Sequence, residues 1–215
     1  MGGSVPVRQH IWRVLSKRLA AGALSSIACL SGVLAAASGP QQVIERLHTS
    51  LLEVMQNADE LGYEGRYQQL EPVLEQSYDF PSMIRIALGP TWRELDERQR
   101  AELTGLFTDM SVANYAARFD GYEGERFEIL GEQPGPREAV LVQSRIVRPN
   151  DEPIELNYLL REFEDGWRII DVLLDARYSE LARQRAEFAA VLRSGGVPDL
   201  VATLERKIAQ LTAEG

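Results

Sequence analysis

The sequence predicts an α+β domain, with helices packed on one side of a curved, four-stranded antiparallel sheet. Three observations predict it. Apolar residues recur at helical spacing from Pro40 to about Arg118, change to period two between Arg126 and Leu174, and return to helical spacing from Ser179 onward. The period-two runs are joined by short turn segments, which suit antiparallel neighbours. No internal repeat, low-complexity tract or long linker interrupts residues 38–215, so one core serves that whole stretch.

About six helices follow from the pattern. Val43, Leu47, Leu51, Val54 and Met55 form the first stripe, with Gly62 as its stop, and a short second helix begins near Pro72. Asp79 is placed to cap the next, Pro81 sits in its first turn and Gly89 ends it; Phe80, Met83, Ile84, Ala87 and Leu88 share one face. Asp96 with Gln99 resembles a capping box for the longest helix, whose stripe runs through Leu103, Leu106, Phe107, Met110, Ala113 and Ala117. Two helices close the chain, one from Ser179 and one from Pro198, separated by Gly195-Gly196.

The four strands are read at 126–130, 139–147, 154–163 and 167–174, with turns at Gln133-Pro134-Gly135-Pro136, Pro149-Asn150-Asp151-Glu152-Pro153 and Glu164-Asp165-Gly166. The last is apolar in both phases. Simple alternation puts Trp167, Ile169 and Leu173 on one face and Ile170, Val172 and Leu174 on the other, so both faces need cover.

Residues 1–37 read as a cleaved secretory signal peptide. Arg8, His10, Arg13, Lys17 and Arg18 precede a short apolar run from Leu19 to Leu34, and Ala35-Ala36-Ala37 offers a small-residue cleavage site. An uncleaved anchor is the alternative, but the run is short and rich in small residues. Cys29 lies within that run, and Ser26-Ile27-Ala28 before it makes a poor lipidation signal. The leader takes four of the 23 basic residues and none of the 32 acids, leaving 19 against 32, a net charge of −13. That charge argues against nucleic acid and against tight adsorption to an anionic bilayer. Without Cys29 the rest has no cysteine, so an exported domain depends on its core rather than on disulfides.

Catalytic chemistry finds little material. Beyond the leader there is one histidine, His48, which supplies neither a zinc ligand set nor a Ser/His/Asp arrangement, and no cofactor is expected. A carboxylate base remains conceivable: Asp171 and Asp175 leave an apolar strand, and Tyr158 offers a hydroxyl. The plainer reading has both aspartates pairing with nearby arginines or capping the following helix.

Several segments resemble the periplasmic lipid-binding family of the Mla and toluene-tolerance systems, typified by MlaC. They are Tyr78 to Met83, Ala87 to Arg93, Gln99 to Tyr115, Gly166 to Val172, Tyr178 to Phe188 and Gly196 to Lys207. Asn114 to Glu125 is most similar to the hopanoid-associated HpnM branch. Where the family has a Gly-Val-Ser step after the strand, this chain has Asp175-Ala176-Arg177-Tyr178-Ser179. The resemblance implies an NTF2-like cone holding acyl chains between sheet and helices. It implies a non-enzymatic periplasmic carrier of phospholipid or hopanoid, served by an ABC-type or RND-type inner-membrane transporter and an outer-membrane lipoprotein complex. The lining it implies is Phe80, Met83, Ile84, Leu88, Trp92, Phe107, Met110, Tyr115, Tyr158, Leu160, Trp167, Ile169, Val172 and Phe188, with the Trp167 and Ile169 face of the last strand toward ligand. Two alternatives stand beside it: an isomerase-type enzyme in the same cone, and a non-binding adaptor with a filled core.

Overall fold

The computed structural model describes residues 39–149 and 151–215; the leader read at residues 1–37 lies outside them. Helices α1 (Pro40–Gln56), α2 (Ala58–Ser77), α3 (Phe80–Leu88) and α4 (Glu97–Arg118) come first, with a 3-10 turn over Gly89–Arg93. Strands β1 (Arg126–Pro134), β2 (Val140–Val147), β3 (Ile154–Phe163), β4 (Gly166–Leu174) and β5 (Tyr178–Ser179) follow, and α5 (Glu180–Glu214) comes last. The sheet order is β1-β2-β3-β4-β5, antiparallel throughout.

Local signals act as their chemistry dictates. The Asp79 side chain accepts from the Ser82 amide at 3.2 Å, and Gly89 takes φ 57 to end α3. Asp96 and Gln99 form a reciprocal box: the Gln99 amide donates to Asp96 at 2.8 Å and the Asp96 amide to Gln99 at 3.0 Å.

The element count differs from four strands and about six helices. β5 is only two residues long, too short to leave an alternation. α5 carries both expected C-terminal helices, joined through Gly196 at φ 71 and ψ −160. A Cβ at Gly195 would lie 1.6 Å from Asp199 Oδ2, so this glycine pair builds a tight bend within one element. Gly62, at φ 58, bends α2 instead of ending α1, which already stops at Gln56. Pro72 lies inside α2 rather than at a helix start; it is exposed, and the Gln68 carbonyl it leaves unbonded is on an exposed residue.

The apolar double phase of β4 has a different cause from two covered faces. Cross-strand partners share a face, and β3 pairs Leu156 with Leu174, Tyr158 with Val172, Leu160 with Ile169 and Glu162 with Trp167. The register shifts between Leu159 and Leu160, leaving Ile170 as the extra residue of a β-bulge. Trp167, Ile169, Val172 and Leu174 therefore share one face, against the alternation expected from sequence. β1 has a comparable irregularity between Ile129 and Gly131, and the skipped Leu130 is exposed. The core lies between the inner face of the sheet and the helices, with Ile44, Leu47, Leu51, Leu70, Leu74, Ile84, Leu103, Phe107, Tyr158, Leu160, Ile169 and Phe188 fully buried.

His48 is buried in this core. Its ring stacks on Phe127 at 4.4 Å and its Nε2 meets the Tyr158 hydroxyl at 3.2 Å. Burial lowers its pKa from 6.5 to about 4, so the folded chain holds it neutral. The unfolded chain takes up the proton first, so this stabilisation is intact above pH 6.5 and is lost as pH falls toward 4. The loss is roughly 3 kcal/mol at this shift. Urea unfolding of native protein and His48→Gln across pH 4–7 should show a steeper decline for native protein; parallel curves would refute it.

The β4–β5 turn carries backbone strain. The Arg177 amide donates to the Leu174 carbonyl at 3.1 Å, and the central residues Asp175 and Ala176 have φ 47 and 58. Both are in the left-handed region, as a type I′ turn demands, and neither is glycine. Ala176→Gly should raise the unfolding free energy by about 1 kcal/mol in the same denaturation measurement.

Candidate functional site

A cavity of about 690 Å³ lies between the inner sheet face and α3, α4 and α5. The sheet contributes Ile146, Ile154, Leu156, Val172 and Leu174. Tyr78 with α3 contributes Phe80 and Met83; α4 contributes Met110, Ser111, Asn114, Tyr115 and Arg118, followed by Phe119. α5 supplies Glu180, Arg183 and Gln184 before its bend and Lys207, Gln210 and Leu211 after it. The buried end is apolar and aromatic, and charge gathers where the lining reaches the exposed surface.

Each wall has a local cause. Tyr78 is fixed because the free edge of β4 pairs with it: the Asp79 amide donates to the Ile169 carbonyl at 2.9 Å. Its ring stacks on Phe80 at 5.2 Å, and its hydroxyl bonds that of Tyr115. Tyr115 stacks on Phe119 at 5.5 Å, and Phe119 meets Phe127 at 6.3 Å. Burial pushes the Tyr78 phenol well up and that of Tyr115 up to about 12, so both remain hydrogen-bond donors. At the surface, Arg183 pairs with Glu180 at 2.8 Å and with Glu187 at 3.3 Å, while Lys207 also pairs with Glu187.

The structure brings Phe80, Met83, Met110, Tyr115 and Val172 into the lining, out of the fourteen residues named from sequence. The other nine lie elsewhere. Ile84, Leu88, Phe107, Tyr158, Leu160, Ile169 and Phe188 are packed in the core, where neighbours close over them. Trp92 is half-buried with the Arg100 guanidinium over its ring at 5.7 Å, and Trp167 is half-buried where β4 begins. The face of β4 that meets the cavity is thus its Val172 and Leu174 end. Sequence reasoning missed the polar liners. Ser111, Asn114 and Arg118 sit three to four residues along from one another on the Met110 and Tyr115 side of α4, so helical spacing alone would have found them.

The groups proposed for base chemistry are not brought together in this cavity. Tyr158 is buried against His48. Asp171 accepts from the Val172 amide at 2.8 Å, the Ser179 hydroxyl at 2.5 Å and the Leu181 amide at 3.1 Å, which ties β4 to the start of α5. Asp175 sits in the strained turn. Among the described residues no group of three or more His, Cys, Asp or Glu is placed to hold a metal ion, and no helix is long and apolar enough to cross a membrane.

The family model for MlaC protein matches residues 45–206. The chain belongs to the MlaC family. No curated protein matches it. Among solved structures, this MlaC-family chain is similar to the phospholipid-binding protein from Ralstonia solanacearum, determined in complex with a phospholipid. The TM-score is 0.71 and the identity 20%, covering 81% of this chain and 99% of that one. At that identity the likeness carries the fold, an antiparallel sheet covered by helices.

Asp171→Ala removes acceptors for two backbone amides and one hydroxyl. It should cost roughly 2 kcal/mol in denaturant unfolding, through loss of the α5 anchor. An unchanged midpoint would argue against the anchoring role.

Proposed function

We propose that this protein is a periplasmic lipid carrier: it takes one lipid into the cavity between sheet and helices and moves it between membrane complexes without chemical change. The observation that carries this reading is the cavity of about 690 Å³, with an apolar inner wall and charged residues confined to its surface end. Each methylene removed from water contributes about 0.8 kcal/mol, so a carrier needs a dry, preformed pocket of this kind. Membership of the MlaC family and the phospholipid held by the Ralstonia relative support it. An NTF2-like cone, a cleaved leader over residues 1–37, the hopanoid-associated branch, an ABC-type or RND-type transporter and an outer-membrane lipoprotein complex all belong to this proposal. The adaptor alternative, which needs a filled core, has no support from this cavity.

The test is native mass spectrometry of protein isolated without detergent, followed by uptake from vesicles of phosphatidylethanolamine and phosphatidylglycerol. A bound lipid is expected in one or both. Met110→Lys, which sets a cation against the apolar wall, should lower uptake at least tenfold in protein that retains its native circular dichroism. Protein that is lipid-free as isolated and takes up neither lipid would refute the proposal.

A further inference from the structure

Tyr78 and Tyr115 both line the cavity, and their hydroxyls bond each other. Two phenols bring two protons, and one hydrogen bond uses one of them. The oxygen that accepts keeps a proton with no acceptor among the described residues. Water in an open cavity can take that proton. A purely hydrocarbon occupant cannot: it displaces the water and leaves a buried donor unpaired, which is costly. The wall therefore calls for an occupant with an acceptor at the depth of the phenol pair.

That depth decides which acceptor. Phe127, Ile146 and Ile154 are cross-strand partners, and Ile154 is exposed, so their row marks the open margin of the sheet. Phe119, which follows α4, meets Phe127 at 6.3 Å, so α4 ends over that margin. Arg118, in the last turn of α4, is exposed, lines the cavity and, unlike Arg183 and Lys207, has no ion pair among the described residues. Tyr115 stands three residues further in, about 4.5 Å along the helix axis, and the buried Met110 lies beyond it. Tyr78 is held from the inner side, by its bridge to the fully buried Ile169. From the opening inward, the wall presents a cation, then the phenol pair, then hydrocarbon. A glycerophospholipid has the same order: phosphate, acyl esters, alkyl chains. With its phosphate in water beside Arg118, the short glycerol brings an ester carbonyl level with the phenols.

We infer that the Tyr78–Tyr115 pair donates a hydrogen bond to an acyl ester carbonyl of the bound lipid, so that the cavity selects ester-linked glycerophospholipids over their ether-linked counterparts. This rests on the carrier reading above and assigns two specificity-determining residues to that same cavity.

Dipalmitoyl phosphatidylglycerol and dipalmitoyl phosphatidylethanolamine are each compared with the dihexadecyl ether analogue, which keeps headgroup and chain length and lacks the carbonyls. Binding is measured by native mass spectrometry and by competition with a fluorescent phospholipid. The ester form of at least one headgroup should bind about fivefold more tightly, the size of one net hydrogen bond. A single Tyr→Phe change would free the partner's proton to take over. The double variant Tyr78→Phe with Tyr115→Phe keeps both rings and removes both hydroxyls, so neither is left unpaired. It should bind the ether lipids as native protein does and the ester forms no more than about twofold better. Infrared spectra of native protein, loaded with lipid isotopically labelled at the ester carbonyls, give a reading independent of any variant. An ester band should lie at lower frequency than for the same lipid in hexadecane. Equal affinity for ester and ether forms of both headgroups, with lipid bound, overturns this inference alone. So does a preference that the double variant keeps, or an unshifted ester band. Failure of all four lipids to bind overturns the carrier reading together with it.

Discussion

The bulge at Ile170 is the constraint on which the site depends. A regular β4 would alternate through Trp167, Ile169, Asp171 and Leu173, turning a carboxylate toward the core and Val172 and Leu174 away from it. One extra residue reverses the phase. Ile169 then packs beneath the helices opposite Leu160, while Val172 and Leu174 form the cavity wall opposite Tyr158 and Leu156. The same shift leaves Asp171 free to reach Ser179 and Leu181. It thereby sets where α5 begins, and α5 is the facing wall. A single irregularity positions both sides of the cavity.

Aromatic contacts carry that geometry across the domain. Rings meet in sequence from Phe188 through Phe107, Phe80 and Tyr78 to Tyr115, Phe119, Phe127, His48 and Tyr158, with centroids 4.4–6.3 Å apart in every pair. Such pairs have preferred offsets and tilts, so they fix the spacing of α3 and α4 over the sheet more narrowly than aliphatic packing does. At Tyr78 and Tyr115 the chain is also joined through hydroxyls, and there the packing opens into the cavity.

Much of the fold was legible because its causes are local. Asp79, Gly89, Asp96 and Gln99 mark helix ends through bonds spanning a few residues, and Gly195-Gly196 marks a bend through backbone freedom. The α+β division follows from the change of period. The bulge was not legible: a strand apolar in both phases reads the same whether it is covered on two faces or shifted in phase. The site was partly legible for a similar reason. Periodicity assigns Met83 and Ile84, or Phe107 and Met110, to the same stripe, but which member meets empty space depends on how far the helices diverge, a tertiary quantity. Asn114, Gln184 and Gln210 were invisible to a search for apolar residues, although a cavity that orients its ligand requires such groups.

What keeps the cavity open is the way its outer wall is fastened. Of the ion pairs at the surface end, Lys207 with Glu187 links the two halves of α5 across the bend and Arg183 with Glu180 and Glu187 braces the first half, but partly exposed pairs of this kind are each worth at most about 1 kcal/mol. The stronger hold is apolar: Phe188 before the bend and Leu200 and Leu204 after it are fully buried. Withdrawing any one of them would cost on the order of 2 kcal/mol or more. Closing the cavity by moving α5 inward would force these side chains out of close-packed positions, and the bend at Gly196 fixes the angle between the halves. The second half of α5 therefore bridges the opening as a braced wall, and the pocket is preformed.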